Sequence, residues 1–291
     1  MRRSVSGRMV GTLALLAAGS ALAGGYVVVR TSDLAPYKAV EAAYTSELGQ
    51  PVQSVNLASK DAKLRQAMDG ATAVLAIGPD AAKAVDEVRP SAPVLLTLVP
   101  NGEKAVSAEL KAKVVPMFVP AQRQAKVIRS VLPSAKRIGV IYDPTQSKAL
   151  VAELDAAASS VGLTLLREEV TARKEVIGAV RTLVGRVDVL WLVPDATVLG
   201  TDTIKFMVQT SIQSKVPLVG FSQGLTKAGA LLSVEAEFDE MGKKAAQAVR
   251  KGPGTQPEAP QGKIYLNARS AELLGISIPS GVRSQAARVF E

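Results

Sequence analysis

The sequence predicts an α/β protein of two lobes, each built on a mostly parallel sheet, and three observations carry that reading. Short apolar, β-branched runs alternate with amphipathic stretches almost to the end of the chain, which is the pattern of repeated βαβ units. The alternation falls into two successive series joined near residues 115–120, where a Pro-containing segment interrupts it. The length of 291 residues suits one large domain or two ordinary ones, and 47% hydrophobic against 21% charged residues gives enough apolar material for sizeable cores.

The first residues read as a leader. Arg2, Arg3 and Arg8 precede an apolar run of about 14 residues, Met9 to Leu22, that ends in the small-x-small pattern Ala21-Leu22-Ala23. A bilayer span needs roughly 20 apolar residues, so a signal peptide over 1–23, cleaved near Ala23, fits better than an anchor. No Cys follows the run, so a lipid anchor is not expected. The Arg2-Arg3 pair leaves the general and twin-arginine export routes both open.

The mature chain then reads strand by strand. Tyr26 to Arg30 is a strand, and Pro36 to Leu48 a helix, with Ala39, Val40, Ala43, Tyr44 and Leu48 at helical spacing. Strands at Val52–Leu57, Ala73–Ile77 and Val94–Val99 are separated by helices near 60–69 and 79–88. Val114 to Val119 is strand-like, but Pro116 suits an edge or crossing segment rather than a sheet centre. A helix at Ala121–Leu132 is closed by Pro133.

The second series runs strand Arg137–Tyr142, helix Ser147–Val161, strand Thr164–Val170, helix Arg173–Val184 and strand Asp188–Val193. Helix Thr201–Ser214, strands Pro217–Phe221 and Ala230–Val234, and helix Asp239–Arg250 follow. A Gly/Pro-rich linker, KGPGTQPEAPQG, leads to strand Lys263–Leu266. This series is too long for one small sheet, and its last helix and strand are displaced from it, as several hinge crossings between two lobes would require.

Composition excludes several functions. The chain contains no Cys and no His, which removes disulfides, thiolate nucleophiles, the commonest metal ligands and the commonest general base. The strands carry neither a G-x-G-x-x-G nor a G-x-x-x-x-G-K-[ST] motif, so no nucleotide cofactor is signalled. The carboxylate pairs Glu168-Glu169 and Glu235/Glu237 alternate across a strand or its end rather than converging. No enzyme activity, cofactor or metal is expected. The formal net charge of +9 comes from scattered Lys and Arg, and aromatics are only 4%, so no nucleic-acid surface is indicated.

From Lys136 onward, over roughly 155 residues, the chain resembles the tryptophan/tyrosine-type substrate-binding proteins of ABC transporters. SAKRIGVIYDPTQSKALVAEL looks like the family's opening of the second lobe. VDVLWLVPDATVLG is similar to a strand and loop that usually read vpTDNtv, and KVPLVGFSQGLTKAGALLSVEAEFDEMGKKAAQAV resembles its strand, hinge and helix. LNARSAELLGISIPSGVRSQAARVFE looks like its closing segment. In the first lobe, YVVVRTSDLAPYKAV, AVLAIGPDAAKAV and PVLLTLVPN fall collinearly with family segments.

The resemblance implies a type I periplasmic-binding architecture: two Rossmann-like lobes, with crossings near 116–121, 234–238 and 260–263. The lobes would comprise 24–118 plus 236–262 and 119–235 plus 263–291. It also implies a periplasmic, monomeric protein that captures a small solute, an amino acid or similar, for a membrane permease and its ATPase. A ligand-sensing or protein-interaction module with the same fold is the alternative. PDATVLG and PTQSK depart from the family's loops at pocket positions, so the solute need not be an aromatic amino acid.

Ligands of doubly wound sheets sit outside the carboxyl ends of the strands, and this rule selects the site loops. On the first lobe they supply Ser32, Asp33, Gly78, Pro79 and Asn101. On the second they supply Tyr142, Gln146, Ser147, Asp195, Thr197, Phe221 and Ser222. Helix starts there suit a ligand carboxylate, and Asp195 fits an ammonium contact and a local capping role about equally. Hydroxyl and carboxylate residues at helix starts also serve as plain N-caps, worth about 1 kcal/mol each, and Ser32, Asp33, Ser147 and Thr197 fit that role too. Asp143 before Pro144 reads as a turn former, and Trp191 as core.

Overall fold

The computed structural model describes residues 25–59, 63–252 and 254–291. The leader at 1–23 lies outside them. The chain forms β1 (Tyr26–Arg30), α1 (Ala35–Leu48), β2 (Val52–Asn56), α2 (Leu64–Met68), β3 (Ala73–Ile77), α3 (Pro79–Val88), β4 (Val94–Thr97) and β5 (Lys113–Val114). After α4 (Ala121–Val131) come β6 (Arg137–Tyr142), α5 (Pro144–Ser160), β7 (Thr164–Glu169), α6 (Val176–Val184), β8 (Val189–Trp191) and α7 (Thr201–Ser214). Then follow β9 (Leu218–Gly220), α8 (Gln223–Ala228), β10 (Leu232–Glu235), α9 (Phe238–Lys251), β11 (Lys263–Asn267), α10 (Ala268–Leu274), α11 (Ser280–Arg283) and β12 (Ala286–Phe290).

Two sheets result. The first has the order β2-β1-β3-β4-β5 and is all parallel. The second has the order β12-β11-β10-β9-β8-β6-β7, with β10–β11 its antiparallel pair among the described strands. Central strands such as β3 (AVLAI) are buried along their whole length, as a sheet covered on both faces demands.

One apolar cluster runs from Val28, Tyr44 and Leu75 in the first lobe through Val115 and Val119 to Ile138, Leu154 and Trp191 in the second. Two further clusters fill the opposite faces of the two sheets. Helix α9 returns to the first lobe and packs along α1, where an added Cβ on Gly242 would overlap the Val40 carbonyl and meet Tyr44 N at 2.9 Å. Only glycine permits so close an approach of the two backbones.

The chain passes between the sheets at 115–120, 236–237 and 254–262. Gly262 holds these crossings together: it adopts φ 68°, and a Cβ there would overlap Val119 and stand 2.6 Å from the Glu235 carbonyl. Crossings one and two leave carboxyl ends of strands and enter helix N-termini, so the carboxyl ends of both sheets face each other across the hinge.

Several elements depart from the sequence reading. Helix α5 starts at Pro144 rather than Ser147, because Asp143 is its N-cap and accepts from the Thr145 amide at 2.9 Å. The turn-forming role expected of Asp143 is borne out by the same contact, since a carboxylate that accepts from the amide two residues on makes an Asx turn. The stretch 173–184 opens with a 3-10 turn before α6. Helix α8 and the terminal α10, α11 and β12 were not resolved as separate elements by periodicity.

Candidate functional site

The first-lobe wall is built from the ends of β1, β3 and β4. Thr31 leaves β1 and its Oγ1 accepts from the Ala81 amide at 3.0 Å, fixing the start of α3 from a neighbouring strand. Gly78 ends β3 at φ 93°, where a Cβ would stand 2.6 Å from Thr31 Oγ1 and 2.9 Å from the Tyr37 hydroxyl. Thr31, Tyr37, Gly78 and Pro79 therefore form one surface, and Pro79 opens α3. Ser32 is half-buried beside them and caps no helix, since Leu34 holds the N-cap position of α1.

Asp33 points outward and accepts from Arg30 Nη1 at 2.6 Å, so the helix-cap role is corrected for it as well. That hydrogen bond is the chief reason its carboxyl lies below the usual carboxylate range. In the loop after β4, Leu98 (φ 55°) and Asn101 (φ 50°) occupy the left-handed region. For a leucine this costs about 1–2 kcal/mol, and such strain collects at functional loops. Asn101 is exposed, and the buried Thr97 hydroxyl beside Leu98 has no hydrogen-bond partner among the described residues.

The second-lobe wall is a hydrogen-bonded clasp between the loops after β6 and β8. Asp195 is 1% exposed, and the donors of its hydrogen bonds lie in the segments that follow β6 and β8. Its Oδ2 accepts from the Asp143 amide and the Ser147 hydroxyl, both at 2.8 Å. Its Oδ1 accepts from the amides of Thr197 at 3.0 Å and Val198 at 3.2 Å. With both oxygens occupied, Asp195 acts as a loop clasp, the local role that the sequence left open beside an ammonium contact. Ser147 is buried behind it rather than capping a helix.

Asp143 completes the clasp. Hydrogen bonds from the Thr145 hydroxyl, then from the Thr197 hydroxyl and the Thr145 amide, hold its carboxyl down to about 2. Gln146 donates to Thr197 Oγ1 at 2.6 Å and accepts from the Ala196 amide, and Arg173 donates to the Ala196 carbonyl at 2.8 Å. Thr197 thus serves the clasp and not a helix cap, while Gln146 and Thr197 stay accessible on its outer side. Tyr142 is 4% exposed, and its hydroxyl donates to Glu169 at 2.6 Å, away from the loops.

At the hinge end, Ser222 caps α8 and Phe221 meets Phe118 of the first crossing edge-to-face, centroids 5.8 Å apart. Glu235, at the end of β10, accepts from the Gln223 amide at 2.9 Å. Burial raises its carboxyl above the usual value, and neighbouring Glu237 pushes in the same direction. Glu237 itself takes Lys263 and Tyr265, leaving Glu235 without a cation within salt-bridge reach among the described residues.

Sequence reasoning missed Tyr37, Thr97, Phe118 and Glu235. Tyr37 could have been found from its place one turn into a helix that starts at a strand's carboxyl end; the others had no local signal. Among the described residues no His/Cys/Asp/Glu group could hold a metal. No described helix is long and apolar enough to cross a membrane.

This arrangement of two facing walls has known counterparts. The family model for ABC transporter substrate binding protein matches residues 61–290. The chain belongs to that family. This substrate-binding protein is 26% identical over 132 residues to a tyrosine-binding protein of Clostridioides difficile (strain R20291). The match covers 45% of the chain and 38% of that relative, so it spans well under half the relative's length.

Among solved structures, the ligand-free, open form of CD0873, a substrate-binding protein with adhesive properties from Clostridium difficile, superposes with a TM-score of 0.72 at 19% identity. The ABC domain in complex with L-Trp from Streptococcus pneumonia superposes with a TM-score of 0.58 at 21% identity. Each comparison covers 92% of this chain and 99% of the other. At these identities they establish the fold, a type I periplasmic-binding architecture.

Proposed function

We propose that this protein is the exported, solute-binding component of an ABC importer, capturing a small solute between its lobes and presenting the closed form to a permease and its ATPase. The observation that carries the reading is the opposition of the two sets of strand carboxyl ends across crossings that meet at Gly262. A solute contacting both walls binds the closed form better than the open one, and so drives closure.

The lobes moving as units would be 24–118 plus 236–262 and 119–235 plus 263–291. Contact residues would come from Ser32, Gly78, Pro79 and Asn101 on one wall and from Gln146, Thr197, Phe221 and Ser222 on the other. Tyr37 joins the first wall. Asp33, Asp143, Tyr142, Ser147 and Asp195 hold the loops in place.

The L-Trp complex and the tyrosine-binding relative support amino acids as the first candidate solutes. The basic start and short apolar run support export to the periplasm. The adhesive properties of CD0873 favour an interaction or sensing module as the second reading.

A thermal-shift screen of residues 24–291, refolded to remove carried-over ligand, tests the choice. A solute at about 100 times its Kd adds roughly 2.7 kcal/mol and raises the melting temperature by several degrees. Absence of any shift across amino acids, small peptides, purines and organic anions would move the reading to the interaction module.

A further inference from the structure

A cavity of about 400 Å³ lies at the amino ends of the first-lobe strands, the end of that sheet opposite the cleft wall. Its lining includes the starts of β3 and β4, where Ala73, Val94 and Leu95 are buried, and Tyr26 at the start of β1. Each strand residue rises about 3.3 Å, so roughly 16 Å of β3 separates Ala73 from Gly78. None of the residues placed above in either wall of the cleft lines this cavity.

Its surroundings are tied down by neighbouring segments. The Ser107 amide and hydroxyl donate to Asp86 of α3 at 2.9 and 2.5 Å, which pins the turn carrying Glu109 and Leu110. Gln256 donates to the Val114 carbonyl at 2.9 Å and so ties the start of the third crossing, at Gly254 and Thr255, to β5. Val249 and Gly252 contribute from the end of α9. A ligand therefore meets a preformed space and has little chain to order.

The lining chemistry selects the occupant. Ala92, Pro93, Leu95, Leu110 and Val249 offer an apolar surface. The charged lining residues are Lys111, Lys113 and Glu109, so cations outnumber anions. Neither lysine has a carboxylate within salt-bridge reach among the described residues. Lys113 is half-buried on β5, where an opposite charge counts for more than on open surface. The carbonyl end of α9 opposes an anion, but Arg250 and Lys251 in its last turn offset that dipole. Apolar cavities of about 150 Å³ take up benzene, so this one has room for a bicyclic ring or a short alkyl chain.

We propose that this cavity is a second ligand site, remote from the cleft, that takes a small amphipathic anion: an apolar body carrying one carboxylate, sulfonate or phosphate group, with the anion at Lys111 and Lys113. It stands independently of the solute that the cleft binds.

Anilinonaphthalene sulfonate is the probe, because it joins an apolar body to one anionic group and brightens on leaving water. Phenylnaphthylamine, the same body without the sulfonate, is the control. Titrated into the refolded protein, the sulfonate should give a saturable one-site isotherm, and the neutral control should bind more weakly. Lys111→Gln combined with Lys113→Gln should weaken the sulfonate by about tenfold and leave the neutral control unchanged. Lys126→Gln combined with Lys205→Gln removes the same charge from exposed positions on α4 and α7 and should leave both probes unchanged. Ala92→Phe, which fills the space, should abolish the isotherm; the lysine variants carry the test should it fail to fold by circular dichroism. Fluorescence that rises without saturation, an isotherm that survives in folded Ala92→Phe, or an equal loss from the two lysine pairs would overturn the proposal.

Discussion

Replacing Asp195 by alanine separates a structural clasp from a ligand contact. The substitution removes the acceptor of four donors: the Asp143, Thr197 and Val198 amides and the Ser147 hydroxyl. Each buried donor left unmatched costs about 1–3 kcal/mol. The Ser147 hydroxyl can rotate to another acceptor, and the Thr197 amide is half-buried, so water can reach it. Two donors then carry the main loss, about 3 kcal/mol in total. For a unit of this size, 1 kcal/mol moves the melting temperature by about 2–4 °C, so a fall of about 6–12 °C is expected in the unliganded protein. Asp195→Asn should cost nearly as much, because its amide group turns a donor toward donors. Scanning calorimetry of the refolded proteins checks this. A melting temperature within about 2 °C of wild type, together with lost solute affinity, would refute the clasp and return Asp195 to the ligand.

Other perturbations follow from the same geometry. Gly262→Ala places a Cβ in a left-handed backbone against Val119 and the Glu235 carbonyl, and should destabilise by about 2–4 kcal/mol in urea unfolding; a change below about 1 kcal/mol would show that the crossings relax freely. Asp143 has a depressed carboxyl, so its contribution to stability is present above the ordinary carboxylate value of 3.8 and is lost as pH falls toward about 2. The melting-temperature gap between wild type and Asp143→Asn should therefore close between about pH 4 and pH 2, and a pH-independent gap would contradict the network. Glu235 has a raised carboxyl, so protonation favours its folded form. Glu235→Gln should stabilise slightly at neutral pH, by well under about 1 kcal/mol for so solvent-screened a group. Melting curves should show that gain disappear on acidification, whereas a gain persisting in acid would mean another cause.

The sheets were legible in the sequence because their strands are buried on both faces. AVLAI at 73–77 and RIGVIY at 137–142 are apolar runs bounded by turn chemistry, and both form the strands read from them. Short polar-flanked elements were not legible. Helix α8 is six residues long and set by the Ser222 cap, and β12 pairs with β11 through an irregular register. The site was legible as a set of loops, since strand ends are fixed by topology. Side-chain direction was not. Nothing local to PDATVLG indicates that Asp195 turns inward, because its donors include Asp143 and Ser147, about 50 residues away. Glu235 was hidden for a similar reason: its lack of a counter-ion follows from Glu237 taking Lys263 across the β10–β11 pair.

The most direct test of solute capture between the lobes is small-angle X-ray scattering of the refolded protein, with and without a saturating hit from the thermal-shift screen. A radius of gyration that contracts on adding the solute, and returns when it is dialysed away, is the expected result. A stabilising solute that leaves the radius of gyration unchanged would contradict closure of the two walls around it.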